Sequence, residues 1–487
     1  MFRANTITEQ LNRAIRQGAS GRLTDKEFVM NEIATFKASP RRKAMLDGVN
    51  YFKGIHDILR RERQIIGEGG RLETVDNLPN NRIIDNQYRK MVNQKVNYLL
   101  GHPVAAQTDN TDYAEKISDL IDKRFMRKLG LVGRDSLNCG LGWLYVGSDG
   151  DKLILQRIPP YELIPLWADA DHSELDGAIR FYEITDYEGK KPVEKMHVEV
   201  YDHAGITRFV QEDNKLILVS QEPYFTISRG DGEFAYNWSQ IPLIPFKSNS
   251  LEIPLINNIK CLQDGLNLII SNFQNNMEED VRNTLLVLVN YDGENLGSFR
   301  KNLSAYGAVK VRSIDGAQGD VRTLQIEVNA ENYKTIMSIF RRAIIENAMG
   351  YDAKDDRLSG NPNQMNILSM YSDIDLDANE METEYQAAFE QLFEFFNAHL
   401  YNVGVGDFTA EKVDVIFNRD MLISEADVIQ NIRHSVGILS EETIIANHPW
   451  VDDVKAELDR IKSGRNETQG TYDEAFAQEP TSEEDDA

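Results

Sequence analysis

Residues 255–283 read LINNIKCLQDGLNLIISNFQNNMEEDVRN. Leu255, Ile259, Leu262, Leu266, Ile269 and Phe273 recur three or four residues apart, which sets them on one face and predicts a helix from about Leu255 to Asn283. A β-rich insert follows. Thr284 to Asn290 is a β-branched and leucine run closed by Tyr291-Asp292-Gly293, and Ala308 to Arg312 and Val321 to Val328 read as further strands. Helical spacing returns from Ala330 to Met349 in Tyr333, Ile336, Met337, Phe340, Ala343, Ile344 and Ala348, with Gly350 expected as the stop. Tyr351 to Asn366 holds Lys354, Asp355, Asp356, Arg357, Ser359-Gly360 and Asn361-Pro362, a composition that suits a mobile, hydrated loop. Beyond it, Ile367, Met370, Ile374, Met381, Tyr385, Ala388, Leu392, Phe396 and Leu400 mark one stripe about 50 Å long at 1.5 Å per residue. A helix of that length spans a whole domain.

Upstream, Thr24 and Glu27 form a capping-box signature before a helix to about Phe36, and Ser39-Pro40 opens the next, to about Lys53. Gly54 is its expected stop or bend. Tyr88, Met91, Val92, Lys95, Val96, Leu99 and Leu100 define another amphipathic helix, and Glu115 to Lys128 reads as one more. Near Leu137 the pattern turns to short strands: Leu153 to Ile158, Ala178 to Ile184, His197 to Tyr201, Thr207 to Val210, Leu216 to Val219 and Tyr224 to Ile227. These predict an antiparallel meander, after which Ile241 to Phe246 runs extended. Past Tyr401 the sequence predicts a strand at Val413 to Phe417, then small helices from Ser424, Ser440 and Pro449. From Ser463 onward it is polar, acidic and expected to be disordered. The class is α+β.

At 487 residues the chain exceeds one ordinary core, which predicts two to four folding units. Its 53 basic and 78 acidic residues leave a net charge of −25. That balance argues against a sequence-specific DNA reader, which gains affinity by neutralising phosphates, but not against a protein that lets DNA move past it. Cys139 and Cys261 are too few for a disulfide framework and read as small core residues in a reducing compartment. No secretory signal is visible, and no apolar run approaches the ~20 residues of a membrane span.

Asp373, Asp375, Asp377, Asn379 and Glu384 fall at positions 1, 3, 5, 7 and 12 of a calcium-loop spacing. Ala378 stands where that loop needs glycine, and helical periodicity runs straight through, so an acidic helix face is the stronger reading. The cluster 373–384 also supports an alternative reading as a metal-dependent nuclease or phosphotransferase. Successive steps of about 200° on a helix, however, keep Asp373, Asp375 and Asp377 from converging on one ion. No paired Cys/His spacing, phosphate loop or nucleophile elbow occurs, so no cofactor, metal or catalytic residue is expected. Lys334, Arg341 and Arg342 form the basic accent of the central stretch. Two readings stay open for them, pairing with neighbouring acids or presentation to a phosphate backbone. A monomeric scaffold that binds other proteins is a further reading of the whole chain.

Tyr51-Phe52-x-Gly54-x-His56-x-Ile58, the run Val96-Asn97-Tyr98-Leu99-Leu100-Gly101-His102-Pro103-Val104, Gly140-x-Gly142-Trp143 and Ile244-Pro245-Phe246 resemble the portal proteins of tailed bacteriophages, specifically the siphovirus-type family. The similarity covers about residues 30 to 460, in the same order of elements. It implies a portal-protein fold assembled as a dodecameric ring at one capsid vertex, a channel through which double-stranded DNA is packaged and later ejected. Carried onto this sequence it implies an α/β wing at 1–250, stem helices at 251–283 and 329–350, and a β-rich clip at 284–328. A tunnel loop at 351–366, a long wing helix at 367–405 and a helical crown at 406–464 follow, while the amino-terminal segment and the acidic tail at 465–487, expected to be disordered, have no clear counterpart in the family. Lys354, Arg357, Asn361, Asn363 and Gln364 would touch DNA, and Tyr291, Asp292, Phe299, Arg300, Lys301, Tyr306 and Arg312 would dock partners at the clip. The implied partners are other copies of the chain, the terminase large subunit, the head-to-tail adaptor, and the major capsid and scaffolding proteins, with no membrane. The implied place is the virion, after assembly in the host cytoplasm.

Overall fold

Short polar side chains open the helices one after another. Asp25 accepts from the Glu27 amide ahead of α1 (Lys26–Lys37), and Ser39 accepts from the Arg42 amide ahead of α2 (Pro40–Lys53). The oxygen that caps α1 therefore belongs to Asp25 and not, as the capping-box signature suggested, to Thr24. Gly54 ends α2 in the left-handed region at φ 88°. A single 3₁₀ turn and a short hairpin, β1 (Gln64–Ile66) with β2 (Leu72–Thr74), lead to Asn86, which caps α3 (Gln87–Leu100). After β3 (Ala105–Gln107) the helix expected over Glu115 to Lys128 is two helices, α4 (Thr111–Leu120) and α5 (Lys123–Cys139). Ile121 leaves helical geometry at ψ 52°, and Asp122 restarts the chain by accepting from the Phe125 amide at 2.7 Å.

The structure is a computed structural model that describes residues 23, 25–66, 70–76, 78–149, 152–188, 190–229, 232–280, 285–289, 320–324, 330–352, 364–419 and 425–446, with scattered positions between 448 and 462. It divides into two compact units, residues 1–350 with 374–420, and residues 351–373 with 421–487.

In the first unit the strands form two principal antiparallel sheets. β4 (Leu141–Asp149) lies between β5 (Lys152–Ile158) and β13 (Leu243–Lys247). The meander is β6 (Leu163–Trp167), β7 (Leu175–Glu188), β8 (Lys191–Asp202), β9 (Gly205–Glu212) and β10 (Lys215–Glu222), in spatial order β10-β9-β8-β7-β6. β6 has no counterpart in the sequence reading. β11 (Phe225–Arg229) and β12 (Gly232–Tyr236) form a separate hairpin. One face of the meander packs Ile179, Phe181, Val198, Val200 and Phe209 against Val29, Ile33 and Phe36 of α1 and Met45 of α2.

The central stretch follows in α6 (Ile256–Asp280), β14 (Leu285–Val289), β15 (Asp320–Leu324), α7 (Ala330–Asn347) and α8 (Gln364–Asn402). β14 and β15 pair antiparallel, while the strand expected at 308–312 lies outside the described residues. α7 does not stop on a left-handed Gly350. Met349 takes that conformation at φ 50°, and Gly350 lies close under α3, where a Cβ would come 2.7 Å from the Met91 sulfur and displace that side chain. Within the first unit α8 lays down an aromatic ridge. Tyr385 and Phe389 meet Phe246 and Phe417 edge to face, and Phe396 stacks on Tyr113. β16 (Asp414–Ile416) pairs with β3, so the chain beyond α8 is stitched back to the start of the unit.

The second unit contains the first turns of α8, where Tyr371 stacks on Tyr351 at 4.4 Å, and the pair α9 (Glu425–Ser435) and α10 (Glu441–Ala446). Gly437 turns the chain between them at φ 84°. Among the described residues no helix is long and apolar enough to cross a membrane.

Candidate functional site

α6 carries two rows of side chains at helical spacing, and the second is polar. Gln263, Asn267, Ser271 and Asn275 stand four residues apart and are all fully buried. Their partner is the segment 81–86, which belongs to neither helix nor sheet, together with the first turn of α3. The Asn81 amide donates to Asn275 Oδ1 at 2.7 Å, the Ile83 amide to Ser271 Oγ at 2.9 Å, the Asp85 amide to Asn267 Oδ1 at 3.1 Å and the Tyr88 amide to Gln263 Oε1 at 3.0 Å. Gln263 Nε2 returns a bond to the Asp85 carbonyl. The fit is geometric. Four residues of helix rise about 6 Å and two residues of extended chain about 6.6 Å, so alternate amides of the strap meet successive turns of α6. Side chains thus take the place of a neighbouring strand and satisfy amides that burial would otherwise leave unpaired.

His56 is the inner anchor of this ladder. Asn267 Nδ2 donates to its Nδ1 at 2.9 Å, and its Nε2 donates to the Tyr51 carbonyl at 3.1 Å. Burial pulls the imidazole pKa below its ordinary value and keeps the ring neutral, and the Tyr51 carbonyl, which can only accept, fixes the proton on Nε2. Tyr51 stacks on the same ring at 4.3 Å and donates to Asp264 at 2.5 Å, while Lys260 bonds Tyr51, Asp57 and Asp264. Burial works against the Lys260 ammonium, but its bonds to Asp264 and Asp57 outweigh that and hold its pKa above the ordinary value.

α7 reaches the same strap. Arg341 pairs with Asp85 at 2.9 Å, Asn276 of α6 donates to Tyr333 at 2.9 Å, and Gly265 lies under the Phe340 ring, where a Cβ would come within 2.5 Å. Both helices that flank the β14–β15 pair are therefore tied to one strap.

Of the basic accent, Arg341 pairs with Asp85 and Arg342 with Glu346 at 2.8 Å, while Lys334 is exposed. Lys354, Arg357, Asn361 and Asn363 lie outside the described residues, as do Tyr291, Asp292, Phe299, Arg300, Lys301, Tyr306 and Arg312. Gln364 opens α8, and its side chain is likewise outside the description. Cys139 is buried, which pushes its thiol pKa well up, but Cys261 is exposed and is not the core residue its context suggested.

The acidic cluster is built into the helix and engaged with cations. Asp375 pairs with Arg419 and accepts from Tyr98 at 3.0 Å, Glu382 pairs with Arg419 at 2.6 Å, and Asp377 pairs with Lys95 at 2.5 Å. Burial and the bond to Asp375 push the Tyr98 hydroxyl up to about 12. Burial raises Asp377 and lowers Lys95, so each group depends on the other for its charge. Among the described residues no group of three or more His, Cys, Asp or Glu side chains converges on a cation position.

Comparison with known proteins bears on the whole chain. The family model "Phage portal protein, SPP1 Gp6-like" matches residues 40–471. The chain belongs to this phage portal protein family. It is 28% identical over 472 residues to the portal protein of Bacillus phage SPP1, covering 95% of this chain and 91% of that one. It is 27% identical over 436 residues to the portal protein of Clostridium phage phiCD119, covering 85% and 91%. The family is structural, and its members stand at the capsid vertex, so this portal is a component of the virion.

The polar ladder is the part of the site that the sequence reading missed. Its signal was in the opening stretch, in Gln263, Asn267, Ser271 and Asn275 at a constant interval of four. A polar row at that interval reads as a solvated face until a strap is found to cover it.

Proposed function

We propose that twelve copies of this portal form a ring whose bore passes double-stranded DNA during packaging and ejection. In this reading α6 and α7 are the stem, residues 284–328 the clip, residues 351–366 the loop that meets DNA, and the elements before residue 250 the wing. Residues 367–405 are the long wing helix and 406–464 the crown. The observation that carries it is the shared strap. Two helices joined to the β14–β15 pair are both fixed to residues 81–88 through named bonds, which is what a rigid stem beneath a wing requires.

Charge supports the same reading. A ring of twelve carries about −300, a field that keeps the duplex from adhering to the walls. Transient contacts then fall to Lys354, Arg357, Asn361, Asn363 and Gln364, with Lys334, Arg341 and Arg342 on the stem. The clip residues Tyr291, Asp292, Phe299, Arg300, Lys301, Tyr306 and Arg312 would meet first the terminase large subunit and then the head-to-tail adaptor. Capsid and scaffolding proteins would meet the outer surface. The chain itself performs no catalysis in this proposal, because Asp375, Asp377 and Glu382 are committed to Arg419 and Lys95.

Negative-stain images of the purified protein test it. Twelve-fold rings with a central opening are expected, and duplex DNA incubated with the protein and magnesium should stay intact. Solid particles of monomer size, or cleaved DNA, would overturn it.

A further inference from the structure

β7 and β8 outrun the sheet they belong to. β6 accompanies β7 only as far as Arg180, and β9 accompanies β8 only from His197 onward. Among the described residues, the pairs from Glu183↔Met196 to Glu188↔Lys191 therefore have no third strand beside them. At about 3.3 Å per residue this is an arm roughly 20 Å long. No described residue from 183 to 195 is buried. Strand alternation sets Ile184, 42% exposed, on one face and Tyr187, 67% exposed, on the other, with Tyr187 opposite Pro192. A two-stranded ribbon is marginal in water on its own.

The opposite margin of the same sheet has the complementary property. β10 is an edge strand, and Ile217, Leu218 and Val219 are 46%, 52% and 62% exposed. Ile217 and Leu218 point to alternate faces, and Val219 drops out of register between Leu218 and Ser220. Edge strands are normally blunted by charge, so three adjacent apolar residues there mark a surface meant to be covered. Within one chain β9 stands between β8 and β10, and the arm cannot reach its own β10 edge.

We propose that the β7–β8 arm docks along the β10 edge of a second copy of this chain, continuing its sheet and bringing Ile184 and Tyr187 against Ile217 and Leu218. Arm and edge are different surfaces, so the contact is heterologous, the kind that closes a ring when the rotation between copies permits. The inference rests on the ring reading above and assigns it a pair of surfaces.

Two measurements test it. In the first, residues 184–195 are replaced by Asn-Gly, which closes the hairpin at Glu183 and Met196 with a two-residue turn. Mass by light scattering across a concentration series should show the concentration for half-assembly raised about tenfold or more, as expected on loss of apolar anchors at an interface, with helical circular dichroism kept. In the second, chains carrying Cys261→Ser with Tyr187→Cys are mixed with chains carrying Cys261→Ser with Ile217→Cys and oxidised. A disulfide between unlike chains is expected. If the unaltered protein assembles but the shortened one assembles equally well, or no unlike pair cross-links in an assembled mixture, the arm assignment is overturned and the ring stands. If the unaltered protein stays monomeric at every concentration, the ring reading fails first and takes the arm with it.

Discussion

His56 and Asn267 are 211 positions apart in the chain and meet through a 2.9 Å hydrogen bond in which the amide donates to Nδ1 of a neutral ring. Neutrality is required by the surroundings. Asn267 Oδ1 is occupied by the Asp85 amide and Gln263 Nε2, so the side chain cannot flip to accept from a protonated ring. In the unfolded chain His56 takes a proton through its ordinary value of 6.5, whereas in the fold it does so only below a depressed value. Between those values the unfolded state binds more protons, so stability rises with pH there and is lost as pH falls below about 6.5. Urea midpoints measured from pH 7.5 down to 5.5 should decline, and His56→Gln should flatten the decline. An unchanged slope in the variant would remove His56 as its source.

Ser271→Ala tests the ladder directly. The substitution keeps the helix, removes the Oγ that accepts from the Ile83 amide and leaves that part-buried amide without its partner, at a cost of about 1 kcal/mol. Native-state hydrogen exchange should quicken at Ile83 and Asp85 more than at amides inside α3. Uniform acceleration across the unit would show that the loss is global rather than local to the strap.

The helices were legible because their periods and caps are local. Ser39 before Pro40, Gly54 after Lys53 and the apolar stripe of α6 all name themselves in sequence. What escaped was decided by partners far away in the chain. Nothing around Gln263 says that its row meets residues 81–88, and nothing around Cys261 says that its side of α6 is exposed. β6 escaped because Pro165 interrupts its five residues, yet Ile164 and Leu166 on either side are buried in the sheet core. The break between α4 and α5 hinged on the backbone of Ile121, which apolar spacing does not report.

Gly140→Ala should be among the most damaging single-methyl changes. Gly140 sits at φ 88°, and an added Cβ would lie 2.0 Å from the carbonyl oxygen of Glu252, itself left-handed at φ 54°. Glu252 is fixed in turn by Arg41, Lys247 and a 2.7 Å bond from His172, so the carbonyl has little freedom to retreat. Strain and overpacking together cost about 3 kcal/mol or more. Thermal unfolding of the soluble variant checks it, and a midpoint within a degree of the parent would show that the 248–254 turn yields easily.

Arg341→Ala separates structure from transport. The pair with Asp85 is half exposed on the arginine side, and such pairs contribute about 0–1 kcal/mol, so the thermal midpoint should barely move. If Arg341 also meets passing DNA, packaging efficiency in an in vitro assay should change while stability does not. A change in both would assign the residue to the strap alone.

Lys95 and Asp377 give the sharpest test of why the acidic cluster exists. The Lys95 side chain is 2% exposed and that of Asp377 28%, and the ammonium faces the carboxylate at 2.5 Å, with burial opposing the charge on each. Removing the carboxylate leaves the Lys95 ammonium buried without its partner, so Asp377→Leu alone should destabilise the unit by about 3–5 kcal/mol, and Lys95→Met alone by less, because the Asp377 side chain keeps 28% exposure to water. The double change Lys95→Met with Asp377→Leu removes both charges and should recover most of that loss, giving a large coupling term in a double-mutant cycle. A metal-binding Asp377 would behave differently. Its replacement would abolish a magnesium-dependent shift in melting temperature in the parent, and Lys95→Met would strengthen that shift by freeing the carboxylate.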